Sequence, residues 1–253
     1  MRPFLAAAIG LLLAVVAADV GLQSASAIQP ATQAAVVTVD RNASGATRAF
    51  KFARVPSPVA DDAAAKAKVT LIDGELDGQA GAVGSVNDGL LPRDEDEPGA
   101  NFFFNAATAG GRLVIDLTRR VSIAQINSYS WHPNTRGPQV YVLFASDGTD
   151  AKFNAAPKAD VDPVTVGWVR IAAVDTRPSG EDQGGQYGVS IAGRSGSVGQ
   201  FRYLLFECSA TELQDDYGNT FYSEIDVIAA PASAPAPRVI GLAAPTSGRP
   251  ARR

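Results

Sequence analysis

The sequence predicts an all-β protein, an antiparallel β-sandwich or jelly roll, and three observations carry this prediction. Several segments alternate apolar and polar residues with period two, which is typical of strands buried on one face. Glycine-rich and polar segments separate these runs, as turns and loops do. No segment has the length and periodicity of a long helix. Many strands without helices form sandwiches or barrels.

The clearest strands lie in the middle of the chain. Residues 112–117 and 139–145 alternate, and the run 121–129 between them is rich in β-branched residues. A polar loop, 132–138, separates the second strand from the third, with Trp131 at its edge. Further strands are predicted at 49–55, 69–72, 101–104, 167–174, 187–192, 200–208 and 221–228.

Two segments before residue 101 break this pattern. Residues 56–68 predict a short helix, because Ser57 can cap it, Pro58 suits a first helical position and several alanines follow. Residues 73–100 predict a loop of 28 residues with six glycines and eight acidic residues. So long a loop inside a compact domain is usually functional or held in place by something.

The two ends of the chain predict export and an unstructured tail. Residues 1–27 read as a secretory signal peptide with a charge at Arg2, an apolar core at 5–18 and a cleavage pattern ending at Ala27. That core is too short for a membrane span, and no later stretch is apolar enough, so we expect a secreted, periplasmic or extracellular product. We expect residues 28–44 to form a linker or edge strand and residues 45–230 to form the domain. Residues 231–253 contain five prolines and are predicted to be a disordered tail.

The charge balance argues against nucleic acid as a partner. The chain has 22 basic and 26 acidic residues, and residues 231–253 hold four arginines and no acid. Setting aside that tail, and the one basic and one acidic residue of 1–27, leaves 17 basic and 25 acidic residues, a net charge of −8. Nucleic-acid binding depends on neutralising phosphates, so cations are the favoured charged partners of this acidic body.

The chemistry-bearing residues point away from most enzymes. Cys208 is the only cysteine, so no internal disulfide is possible, and its apolar run predicts a buried thiol. His132 is the only histidine, which excludes metal centres built from several histidines. No motif supplies partners for a Ser-His-Asp triad. Acidic pairs such as Glu207 and Glu224 fit glycoside hydrolysis by residue type alone.

Four pieces of sequence, in order, resemble a known family. They are the turn 87–89 followed by Phe102, the segment LVIDLTRRVSIAQI (113–126), the segment QVYVLFASDG (139–148), and FRYLLFECSA (201–210) followed by TFYSEIDVI (220–228). Together, over residues 45–228, they resemble the galactose-binding-like jelly roll of discoidin or coagulation-factor type C domains and family 32 carbohydrate-binding modules. SWHPNTRGPQ and NTFYSEIDV are similar to domains in exported planctomycete-like bacterial proteins. The paired cysteines of many discoidin domains are absent, and the loop after Asp88 is longer and more acidic than the family's short turn.

The resemblance places a ligand site on the rim loops of the jelly roll. The loop after residue 130 belongs to that rim and holds Trp131, His132, Asn134 and Arg136. Sugars bind through aromatic faces and forked hydrogen bonds to hydroxyl groups, which these residue types supply. The alternative is that Trp131 belongs to the core and Arg136 only holds the loop.

A second set of rim candidates precedes the last strand. It consists of Tyr217, Asn219, Phe221 and Tyr222. Period-two alternation sends Phe221 and Tyr222 to opposite faces, so at least one of these aromatic residues belongs to the core.

The resemblance also implies a structural calcium ion. In the family a loop carboxylate, loop carbonyls and a glutamate of the last strand hold it, and the matching positions here are Asp88 and Glu224. Calcium takes six to eight oxygen ligands, which a glycine-rich acidic loop can supply. The alternative is a solvated acidic loop and a surface glutamate.

These observations predict a non-catalytic binding module for carbohydrate or another extracellular surface component. Two other classes stay open. One is a structural or protein-interaction domain that contacts other envelope or matrix proteins, and the other is an enzyme.

Overall fold

The structure is a computed structural model that describes residues 35–43, 46–106, 108–180, 182–212 and 218–231. The predicted signal peptide, residues 28–34, Tyr217 and the tail from residue 232 lie outside these ranges. All described residues belong to one compact unit of the chain.

The described residues contain eight strands and three short 3₁₀ turns. The strands are β1 (Ala35–Asn42), β2 (Lys68–Asp73), β3 (Gly110–His132), β4 (Val140–Ser146), β5 (Val169–Asp175), β6 (Gly185–Gly193), β7 (Gly199–Ser209) and β8 (Tyr222–Ala229). The turns are Val83–Val86, Pro98–Ala100 and Pro163–Val166. Within the described ranges no helix is long and apolar enough to cross a membrane.

Strand β3 connects two antiparallel sheets. Its first part, Gly110 to Asp116, pairs with β2 on one side and β7 on the other, and β7 continues to β4 and β5. Its second part, up to His132, pairs with β6 and β8, and β6 continues to β1. The sheets β2-β3-β7-β4-β5 and β1-β6-β3-β8 therefore share one strand, and the predicted antiparallel jelly roll is confirmed.

The prediction of two separate strands before residue 130 is wrong. One strand, β3, continues through residues 118–120, where the pairing with β7 shifts between Asp116 and Val121. Thr118 has a φ of 65°, and its N–H donates to the Asp116 carboxylate at 2.8 Å. Such an irregularity bends a strand and increases its twist, which lets β3 serve both sheets.

Three apolar clusters hold the sheets together. The largest lies between the sheets and contains Ile115 of β3, Ile191 of β6 and Leu204 of β7, all fully buried. A second surrounds Trp168 on the far face of the first sheet. A third lies on the far face of the second sheet around Trp131. Each sheet is thus covered on both faces.

Two predictions for residues 46–68 are wrong. The segment 49–55 is not a strand, because Phe50 packs through its side chain against Tyr129 and Trp131 while its backbone joins no sheet. The segment 56–68 contains turns and no helix. Here Asp62 accepts hydrogen bonds from the N–H groups of Ala64 and Val227, at 2.6 and 2.8 Å, which ties the segment to β8.

The long segment 73–100 is fixed by the protein itself. Leu76 forms a bridge with Phe104, the Gly81 N–H donates to the Asn101 carbonyl at 2.8 Å, and the Asn87 amide donates to the Ala64 carbonyl at 2.7 Å. The return segment 101–104 is buried as predicted, although it contributes only isolated bridges to the sheets.

Candidate functional site

A cavity of about 300 Å³ opens where β3 ends and β8 begins. Its volume lies at the lower end of the range typical of small-ligand sites. Three segments supply its walls: the loop after β3, the residue before β8 and the long acidic loop. The lining residues are Gln79, Asp96, Pro98, His132, Asn134, Arg136 and Phe221.

Hydrogen bonds fix the loop after β3 in this position. The Gly137 N–H donates to the Asn134 carbonyl at 2.9 Å, and the Ser130 hydroxyl donates to the Gly137 carbonyl at 2.6 Å. The Phe221 N–H donates to the Arg136 carbonyl at 2.9 Å, which joins the loop to the start of β8. The side chains of the loop are therefore presented from a rigid backbone.

The guanidinium of Arg136 lies against two aromatic rings. Its Cζ atom is 5.1 Å from the centre of the Phe103 ring and 4.8 Å from that of Phe221. The two rings stack on each other with centres 4.1 Å apart. Arg136 is only 8% exposed, so these contacts hold its charge in a fixed place beneath the cavity.

His132 is neutral at physiological pH. Burial first, and then the positive charge of Arg136, lower the pKa of His132 to about 4, although the Asp96 carboxylate acts in the opposite direction. The ring Nδ1 accepts the Asn134 N–H at 3.2 Å, so the neutral ring carries its proton on Nε2. That Nε2 lies 3.9 Å from Asp96 Oδ1. His132 therefore offers one N–H donor beside a carboxylate acceptor.

The cavity is lined mainly by hydrogen-bonding groups. His132 and Arg136 supply N–H donors, Asp96 supplies an acceptor, and the Asn134 amide supplies both. The Phe221 ring has its centre 4.5 Å from that of His132, but it is only 1% exposed because Phe103 and Arg136 pack against it. Such a set can bind a compact ligand that carries several hydroxyl groups.

Three of the four residues predicted on the loop meet at the cavity, and Trp131 does not. Because side chains alternate along β3, His132 faces the cavity while Trp131 faces the outer side of the second sheet. Trp131 is 5% exposed, and its ring lies edge-on to Phe50 with centres 5.8 Å apart. The structure therefore favours the alternative that Trp131 belongs to the core, since the segment containing Phe50 covers it.

The second predicted set divides in the same way. Phe221 lines the cavity. Asn219 is 2% exposed and its amide donates to the Asn105 carbonyl at 2.8 Å, so it anchors a loop. Tyr222 is 1% exposed and lies between the sheets near Tyr141. Neither lines the cavity, and Tyr217 lies outside the described residues.

Sequence reasoning missed the far wall of the cavity. Gln79, Asp96 and Pro98 belong to the long acidic loop, and Phe103 follows it. The length of that loop indicated a functional role. Nothing in its composition indicated which of its eight acidic residues would face the cavity.

The two residues predicted to hold calcium occupy different environments. Glu224 is 1% exposed, and its Oε2 accepts the Gly89 N–H at 3.0 Å. Its Oε1 is buried and has no hydrogen-bond partner among the described residues. Burial, then the charges of nearby carboxylates, raise the pKa of Glu224 to about 9. Asp88 is exposed, and its Oδ1 accepts the Leu90 N–H at 2.8 Å.

Further buried oxygen atoms lie beside Glu224 on β8. Asp226 is two residues further along the strand and fully buried, and Asn127 lies opposite it on β3. The Oδ1 atoms of both side chains also have no hydrogen-bond partner within the described ranges. No group of three or more His, Cys, Asp and Glu residues that could hold a metal ion occurs in the described part of the chain. The residues thus fit a cation held by Glu224 only if other oxygen atoms complete its shell.

Comparisons with solved structures concern the fold. A family 32 carbohydrate-binding module from Clostridium perfringens NanJ, solved in complex with galactose, is 13% identical, over 65% of this chain and 94% of its own, with a TM-score of 0.38. Another Clostridium perfringens module, CpGH89CBM32-6, is 20% identical, over 67% of this chain and 99% of its own, with a TM-score of 0.37. A fucolectin from striped bass serum is 14% identical, over 66% of this chain and 48% of its own, with a TM-score of 0.42. No protein-family model and no curated protein matches the chain.

The strand pairing of the described residues shows the antiparallel jelly roll that the sequence predicted. Its assignment to the galactose-binding-like type stays a prediction. At these identities and TM-scores no ligand follows from the likeness. The closer resemblance to planctomycete-like proteins stays a prediction.

Truncation of Trp131 should destabilise the protein. Trp131→Ala removes a buried ring and is expected to lower the free energy of unfolding by roughly 3–5 kcal/mol. Trp131→Phe keeps a ring against Phe50 and removes an indole N–H that has no hydrogen-bond partner among the described residues, so its cost should be clearly smaller. Urea unfolding of both variants measures the difference. A Trp131→Ala variant as stable as the wild type would place the indole in solvent.

The pKa of His132 is a second measurable consequence. As the only histidine, it gives an unambiguous NMR signal, and we expect a pKa of about 4. Because this value lies below that of the unfolded chain, the contribution of His132 to the free energy of unfolding should fall as the pH falls from about 6.5 towards 4, whereas Glu224, with its raised pKa, acts in the opposite direction. A measured pKa at or above 6.5 would contradict the burial of the ring beside Arg136.

Proposed function

We propose that this protein is a secreted, non-catalytic binding module that recognises carbohydrate through the cavity at the end of β3 and the start of β8. The observation that carries this proposal is the convergence of His132, Asn134 and Arg136 with the ring of Phe221 on one cavity. Secretion rests on the predicted signal peptide at residues 1–27.

The chemistry of a sugar matches these groups. A pyranose carries neighbouring hydroxyl groups, each of which can donate and accept a hydrogen bond, and one or more apolar C–H faces. Arg136 and the Nε2–H of His132 can donate to one pair of hydroxyl groups, and Asp96 can accept from another. Phe221 lines the cavity but is 1% exposed, so the polar groups carry the recognition. The neutral state of His132 keeps its donor in place over the physiological pH range.

The amide of Asn134 gives the cleanest test of this proposal. Its side chain is exposed, so Asn134→Ala should leave the free energy of unfolding within about 0.5 kcal/mol of the wild type. Losing one hydrogen bond to the ligand should weaken glycan affinity about tenfold. A glycan array identifies the ligand, and calorimetry on wild type and variant measures the affinity.

The matched control is Asn154→Ala. Asn154 is also exposed but follows the opposite end of β4, so its truncation should not change affinity. An array on which the wild type binds no glycan would contradict the proposed function and favour a structural or protein-interaction domain. Equal glycan affinity of Asn134→Ala and wild type would show that the glycan binds outside this cavity.

We also propose that one calcium ion binds at Glu224. The support is a carboxylate that is 1% exposed, with one oxygen that has no hydrogen-bond partner in the described part of the chain, beside further carboxylates. A buried carboxylate oxygen without a partner is costly, and a divalent cation offsets that cost. Asp88 lies close enough to raise the pKa of Glu224 and could turn towards the ion. Backbone carbonyls would complete the shell.

Thermal unfolding tests the ion. At a calcium concentration a hundred times the dissociation constant, the wild type should gain about 2.7 kcal/mol over its stability in chelator. Glu224→Gln should be as stable as the wild type in chelator, since glutamine has the shape of the protonated side chain, and should not respond to calcium. Identical wild-type curves with calcium and with chelator would exclude the ion. A calcium response that survives in Glu224→Gln would place it elsewhere.

A further inference from the structure

The acidic loop places one carboxylate at the mouth of the cavity. Asp96 lines the cavity and its side chain is 64% exposed, whereas the side chain of His132 is 7% exposed. A ligand that enters from solvent therefore meets Asp96 before it reaches the groups beneath. Because the carboxylate lies 3.9 Å from His132 Nε2, it is also within reach of any group bound to that N–H.

The backbone beside Asp96 is fixed. The carbonyl of the next residue, Glu97, accepts hydrogen bonds from the Asn101 amide at 2.8 Å and from the Ala100 N–H at 3.0 Å. The Glu97 carboxylate accepts the Arg93 N–H at 2.5 Å. These bonds close the segment 93–101 into a compact turn, so the backbone places Asp96 at the cavity.

The charge around Asp96 is predominantly negative. Residues 93–97 contain one arginine and four acidic residues. Among the described lining residues the only cation is Arg136, and it is 8% exposed beneath the cavity against Phe103 and Phe221. An anionic ligand group at the mouth is thus repelled by Asp96 and its neighbours, while the compensating charge of Arg136 lies deeper.

We propose that Asp96 is the specificity-determining residue of this site and that it selects uncharged sugars against sugars with a carboxylate or sulfate on the residue entering the cavity. This inference rests on the proposed carbohydrate-binding function. An uncharged hydroxyl group can donate to the carboxylate, so Asp96 contributes a hydrogen bond to a neutral sugar and repulsion to an acidic one. At a separation of about 6 Å in a wet site, that repulsion changes affinity by about three- to tenfold. It weakens with added salt.

The test compares matched glycans on three forms of the full chain: wild type, Asp96→Asn and the control Asp94→Asn. Asp94 lies on the same loop, is exposed and does not line the cavity, so both variants remove one charge from the same segment. Each neutral glycan of an array is paired with counterparts that carry a carboxylate or a sulfate on the terminal sugar. The ratio of neutral to acidic affinity is measured at low and at high salt.

The wild type and Asp94→Asn should favour the neutral member of each pair at low salt. Asp96→Asn should reduce that ratio by about three- to tenfold, mainly through tighter binding of the acidic member, and high salt should reduce the wild-type ratio. An unchanged ratio in Asp96→Asn, or an equal change in Asp94→Asn, would overturn the role of Asp96 while leaving carbohydrate binding intact. A wild type that binds neither member would overturn the proposed function and this inference with it.

Discussion

The backbone pairing of β3 is the constraint on which the rest of the structure depends. One strand of 23 residues pairs with β2 and β7 in its first part and with β6 and β8 in its second. Once its register against β8 is fixed, period-two alternation decides which side chains face outwards. Trp131 then belongs to the outer cluster, and His132 belongs to the cavity at the end of the strand. The candidate site is thus a consequence of where this strand ends.

Sequence patterns predicted the strands better than the connections between them. The pattern of apolar runs between polar and glycine-rich segments located β2 and β4 to β8. It could not show that β3 continues through residues 118–120, since continuity depends on the backbone conformation of Thr118 and on the bond from its N–H to Asp116. The segment 49–55 also alternates. In the structure, however, Phe50 covers Trp131 by side-chain packing. Alternation alone does not distinguish such packing from hydrogen-bonded pairing with a neighbouring strand.

The candidate site was predictable in part for a related reason. His132, Asn134 and Arg136 are close in sequence, so a short loop was bound to keep them close in space. The wall formed by Gln79 and Asp96 comes from a distant segment, and its position depends on bonds such as that between Gly81 and Asn101. The sequence predicted that something must hold this segment. In the structure, hydrogen bonds and buried side chains hold much of the segment 73–100 in place. The proposed calcium ion at Glu224 would add to these contacts.

The proposed function requires that the cavity around His132 binds a sugar. The most direct measurement is an NMR titration of the single histidine with a glycan found on the array. If the account is correct, the ring signals of His132 shift saturably, with the same dissociation constant as calorimetry gives, and Asn134→Ala weakens both. Glycan binding that saturates while the His132 signals stay unchanged would contradict it, because a ligand in this cavity must lie against the Nε2 side of the ring.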